Sequence, residues 1–144
     1  MAKIRLNRRI RYPSYFAPMD SVQPQSEFPS LESWEIQLAS NHPTLENWLQ
    51  PTWDQLNKDL APYVELDKPE NWLEALKRAE RGLHQVLAAS VEHFHQVMYR
   101  IDLPEKRSAS LLSQQDLENR MLELAKLVLW REYQKIWIRR NWSI

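Results

Sequence analysis

Residues 67–101, DKPENWLEALKRAERGLHQVLAASVEHFHQVMYRI, decide the fold class. Asp67 with Glu70 three residues later matches a helix-start pattern, and Pro69 falls where a first turn tolerates proline. Leu73, Leu76, Leu83, Leu87, Phe94, Met98 and Ile101 then recur at the spacings of one helical face. The pattern predicts a single helix over about 68–100, roughly 48 Å long at 1.5 Å per residue. Ala88, Val91 and Tyr99 form a second apolar stripe, rotated by about 100° or more, so this helix expects neighbours on two sides. Gly82, the one glycine in 144 residues, lies inside it. It costs about 1 kcal/mol relative to alanine there, which predicts a close helix crossing or a bend.

Toward the C-terminus, Pro104 and the polar run around it end this helix and allow a reversal. A second long helix is expected over about 114–141, capped by Ser113 with Asp116 at its third position. Leu117, Met121, Leu124, Ala125, Val128, Leu129 and Ile136 make its core face, with Trp130, Tyr133 and Trp137 on the flank. Two such helices joined by about a dozen residues form an antiparallel hairpin. The stretch between them, Tyr99 to Glu105, reads like a motif.

Toward the N-terminus, the text over 30–66 breaks at prolines into Ser30–Ser40, Thr44–Gln50 and Pro51–Leu60, each with a start signal. Helices this short are marginal alone, and Trp34, Trp48 and Trp53 with neighbouring leucines would dock them on the hairpin. Residues 1–29 carry Pro13, Pro18, Pro24 and Pro29 and cannot hold a regular helix. They read as an extended basic and aromatic arm, with Phe28 among its anchoring aromatics. The expectation is therefore all-α: a long antiparallel helical hairpin with short accessory helices in one domain, 30–144, and an N-terminal arm.

The formal net charge is zero but segregated. Residues 1–19 hold Lys3, Arg5, Arg8, Arg9 and Arg11 without an acid; residues 20–72 hold ten acids against two lysines; residues 106–144 hold eight bases against four acids. The blocks neutralise one another within the fold or an oligomer, or the basic ends face an acidic partner.

With one glycine and no cysteine, the chain has no phosphate-cradling loop, dinucleotide fingerprint, nucleophile elbow or cysteine nucleophile. No enzyme activity, catalytic residue, metal or cofactor is expected. Glu92-x-x-His95 resembles a metal-binding spacing, but it points away from the predicted core. Glu132 interrupts the apolar stripe of the second helix and, if buried, needs a partner such as an arginine from elsewhere; no second polar group converging on it can be read from the sequence. No window is apolar enough for a membrane span, no signal-peptide core is evident, and the absence of cysteine fits a reducing compartment, so a cytoplasmic protein is expected.

The function expected is protein–protein interaction or assembly, as an adaptor or as a subunit of a homo- or hetero-oligomer. The candidate contact residues are Arg5, Arg8, Arg9, Arg11, Tyr12, Tyr15 and Phe16 on the arm, and Trp34, Trp48, Trp53, Trp130, Tyr133, Trp137, Arg139, Arg140 and Trp142 on helical faces. Trp, Tyr and Arg are the residues that dominate interface energetics. The alternative is nucleic-acid binding by the basic arm with Lys135, Arg139 and Arg140, whose interleaving with aromatics suits phosphates and bases.

Overall fold

In the computed structural model, residues 27–113 and 116–142 are described. They are mostly helical, with no strand among the described residues, as the periodicity predicts. Helix α1 spans Leu31–Ala39, and Ser30 caps it by accepting the Ser33 amide at 3.1 Å. A 3₁₀ turn, Pro43–Leu45, leads into α2, Glu46–Leu60. Helix α3 spans Trp72–Ala89, capped by Asn71, whose side chain accepts the Glu74 amide at 2.8 Å. Helix α4 spans Val91–Ile101 and α5 spans Glu105–Leu112. A second 3₁₀ turn, Leu117–Arg120, opens α6, Met121–Trp142.

Helix α6 is the centre of the molecule. It packs mainly against α2 and α3 and also touches α1, α4 and α5. Its buried residues run almost without a gap from Leu124 to Tyr133, and a helix apolar on nearly every side must be surrounded. Trp34, Trp53, Leu56, Leu83, Phe94, Ile101 and Leu124 fill the space between α6 and its neighbours. The Trp72 indole N–H donates to the Leu45 carbonyl at 2.8 Å, fastening the start of α3 to the turn before α2.

Several local expectations change. The single helix over 68–100 is two helices, because Ser90 adopts extended backbone, φ −167° and ψ 122°, ending α3 and capping α4 in one step. Within α3 the buried face runs through Ala75, Leu76, Ala79, Leu83 and Val86, so Leu73 is exposed rather than in the core stripe, and beyond the break Val97 joins Phe94, Met98 and Ile101 in the core. The second stripe has no neighbour among the described residues: Val91 and Tyr99 stand in the open, Tyr99 at 86% exposure. The two pieces expected at 44–50 and 51–60 are one helix with Pro51 inside it. Burial of Trp53, Leu56 and Leu60 outweighs the one hydrogen bond that proline removes. The segment after Pro104 is helix α5, with Ser113 as its C-terminal cap, so the last helix begins at Met121 rather than 114. In place of a two-helix hairpin, α6 is enclosed by several shorter helices.

Gly82 is approached by a loop, not by another helix. A Cβ there would lie 3.0 Å from Leu66 Cδ1. The motif-like stretch Tyr99 to Glu105 is the turn from α4 to α5. Its Asp102 is left-handed, φ 63°, and both its carbonyl and its carboxylate accept from Arg131 on α6, at 2.6 and 3.1 Å. Asp is one of the few residues that tolerate that conformation.

Candidate functional site

Gln55 and Asp59 lie four residues apart on α2, and Glu132, Lys135 and Arg139 lie three and four apart on α6, so each set lines one face of its helix. The two faces meet and form a polar chain that runs from the exposed Arg139 inward to the fully buried Glu132. Arg139 Nη2 donates to Gln55 Oε1 at 2.9 Å, and Gln55 Nε2 donates to Asp59 Oδ1 at 3.3 Å. Lys135 Nζ donates to Asp59 Oδ2 at 2.7 Å and to the Arg100 carbonyl at 3.1 Å. It also lies 2.8 Å from Glu132 Oε1. Arg100 closes the ring from α4 by donating to the carbonyls of Asp59, at 3.0 Å, and Ala61. One lysine thus ties together the C-terminal ends of α2 and α4 and the middle of α6.

Glu132 is 0% exposed and Asp59 is 9% exposed. Burial, reinforced by the neighbouring Asp59 carboxylate, pushes the Glu132 pKa up to about 9 against the pull of Lys135. For Asp59 burial acts in the same direction, but hydrogen bonds from Glu132, Lys135 and Gln55 more than reverse it and hold its carboxyl below the usual range. At neutral pH the pair therefore carries one proton, on Glu132, and Asp59 is the counter-ion of Lys135. The sequence expects for a buried Glu132 a partner from elsewhere, such as an arginine; the structure buries it and supplies a lysine on the same helix and a second carboxyl. The Glu132/Lys135 spacing was readable as an i,i+3 pair, whereas Asp59 arrives only through the packing of α2 on α6.

A cleft of about 280 Å³ adjoins this chain, with Gln55, Lys58, Ile136, Arg139 and Arg140 in its walls. Glu132 itself is sealed from solvent. A larger groove, about 510 Å³, lies between α1 and α3, where Leu38, Ala39, Trp72, Leu73 and Leu76 line it together with the polar Asn41 and Asn71 and the charged Glu35 and Lys126. Those two charges pair with each other at 3.4 Å. Leu73, in the groove wall, is 63% exposed, as is Ile36 on α1, at 69%.

The candidate contact residues sort into three groups. Arg5, Arg8, Arg9, Arg11, Tyr12, Tyr15 and Phe16 lie outside the described residues. Trp34, Trp53, Trp130, Tyr133 and Trp137 are buried, so they are core rather than open contact faces. Helical periodicity identifies an apolar face but not whether the chain's own elements cover it. Phe28 does so here, with its ring centroid 4.8 Å from Tyr133, 5.7 Å from Trp130 and 5.6 Å from Trp137, while the Trp130 N–H donates to the Pro29 carbonyl at 3.1 Å. Trp48 is half-buried beneath the Arg140 guanidinium, 4.6 Å from its ring centroid. Arg139, Arg140 and Trp142 face outward at the end of α6. Lys135, counted among the bases for a nucleic acid, is committed to Asp59 and Arg100.

Glu92 and His95 are both exposed on α4, and no group of three His, Cys, Asp or Glu suited to a metal ion occurs among the described residues. None of their helices is long and apolar enough to cross a membrane. No family, curated protein or solved structure matches the chain.

Proposed function

We propose that this chain is a non-enzymatic interaction or assembly subunit that takes an apolar segment of another protein in the groove between α1 and α3. The observation that carries the reading is Leu73: a leucine well over half exposed in the wall of a 510 Å³ groove. Exposed apolar surface of this kind marks interaction sites. The two charges in the lining, Glu35 and Lys126, already neutralise each other, so the occupant that fits is uncharged and largely apolar, with Asn41 and Asn71 left to meet its backbone. The N-terminal arm supplies a second contact. Its described end is fastened to α6 through Phe28, and the five bases that precede it in the sequence, within residues 1–19, would meet the acidic surface of a partner or a neighbouring subunit.

The test is solution mass by light scattering in low and high salt, with binding of an apolar fluorescent probe, on the wild type and Leu73→Asp. A salt-resistant oligomer that Leu73→Asp dissociates supports assembly of like subunits. A monomer whose groove takes up the probe, and loses it in Leu73→Asp, supports docking of a different chain. A monomer that ignores the probe sinks the proposal. Nucleic-acid binding through the arm with Arg139 and Arg140 is the rival outcome, read as an oligonucleotide shift that falls steeply with salt.

A further inference from the structure

Glu132 is completely buried, and although Lys135 Nζ lies 2.8 Å from its Oε1, neither carboxyl oxygen accepts a hydrogen bond in acceptable geometry. The ammonium beside it is engaged by Asp59 Oδ2 and the Arg100 carbonyl. With Glu132 ionised, two carboxylates would share one lysine, leaving a net negative charge in a group of which only Asp59 and Lys135 retain slight contact with solvent, an arrangement that is strongly unfavourable. With Glu132 protonated, its hydroxyl donates to Asp59, and the remaining charges of Asp59 and Lys135 cancel. Among the described residues, charged groups on the surrounding helices have partners of their own, Arg139 of α6 donating to Gln55. Arg100 of α4 is occupied with the carbonyls of Asp59 and Ala61, and Asp102 beyond it pairs with Arg131. Arg78 of α3 pairs with Glu74, Glu35 of α1 with Lys126, and Arg107 of α5 with Glu32.

We propose that Asp59, Glu132 and Lys135 form a proton-dependent clasp that holds α6 against the ends of α2 and α4 while Glu132 keeps its proton, and opens when that proton passes to solvent. The mechanism is competition for one ammonium. Lys135 Nζ already lies 2.8 Å from Glu132 Oε1, so an ionised Glu132 competes directly with Asp59 and the Arg100 carbonyl, the contacts by which the lysine reaches α2 and α4. The groups that then loosen, Gln55 and Arg139, line the adjoining cleft, so opening reshapes that surface. Burial places the release of this proton in the alkaline range, near the value of about 9 that Glu132 reaches.

The experiment is denaturant unfolding of the full chain from about pH 6 to about pH 10, comparing the wild type with Glu132→Gln, whose amide mimics the protonated acid. The ratio of the two unfolding constants should rise with pH by up to about tenfold per unit until Glu132 ionises in the folded protein. Carbon-13 NMR of side-chain carboxyls in the wild type gives an independent reading should the variant fail to fold. One carboxyl should titrate above neutrality. A ratio that does not change with pH, or carboxyls that all titrate below about pH 6, would overturn the clasp.

Discussion

Gly82 and Asn57 act on the same loop from two directions. The Asn57 side chain grips the Leu66 main chain at both ends, accepting its amide at 3.2 Å and donating to its carbonyl at 3.3 Å. This pins the backbone and lays the Leu66 side chain over Gly82. Asn57→Ala removes both bonds and is expected to cost about 1–3 kcal/mol, measured as a lower urea midpoint at unchanged slope. Gly82→Ala gains about 1 kcal/mol of helix propensity while pressing on the two Leu66 methyls, which are the free end of a half-buried side chain. Its stability should fall within about 1 kcal/mol of the wild type; a loss of more than about 2 would mean the loop cannot yield. That Gly82 needs close approach was legible in the sequence. That a loop makes the approach was not, because Leu66 carries no periodic signal linking it to α3.

At the scale of elements, the break at Ser90 divides what the apolar spacing joins. The Ser90 hydroxyl accepts the His93 amide at 3.2 Å, its carbonyl accepts the Phe94 amide at 3.0 Å, and its own amide donates to Val86 at 3.0 Å. One residue thereby ends α3 and starts α4, and Phe94, Val97, Met98 and Ile101 reach the core on a new phase. Ser90→Ala should cost about 0.5–2 kcal/mol without raising helicity in circular dichroism, because packing of the two helices holds the bend. A rise in both helicity and stability would show that the cap alone makes it. Helix existence was legible over 31–60, 72–101 and 121–142, but helix α5 and the boundaries were not, since Ser90, Pro51 and Pro104 admit more than one local reading.

At the scale of the molecule, the buried carboxyl pair makes stability depend on pH in two opposite senses. Asp59 is held low in the folded state, so its contribution is present above its unfolded value of about 3.8 and is lost as pH falls through the depressed one. Glu132 is held high, so its contribution is complete below its unfolded value of about 4.5 and is lost progressively as pH rises toward about 9. These two groups together favour the fold most near about pH 4–5. Asp59→Asn should remove the acid-side loss, seen as a flatter stability profile below about pH 4 than that of the wild type; an unchanged acid limb would show that Asp59 is not its source.

The sequence by itself determined that the chain is helical, where the aromatic mass lies, and that Glu132 interrupts an apolar face, because helical period and residue type are local properties of the chain. Only the tertiary structure decided that Phe28 covers the tryptophan face of α6, that Leu73 lies in an open groove, and that Asp59 shares the surroundings of Glu132. Each of these joins segments tens of residues or more apart, and whether a face is covered or a charge is paired depends on what the fold brings against it.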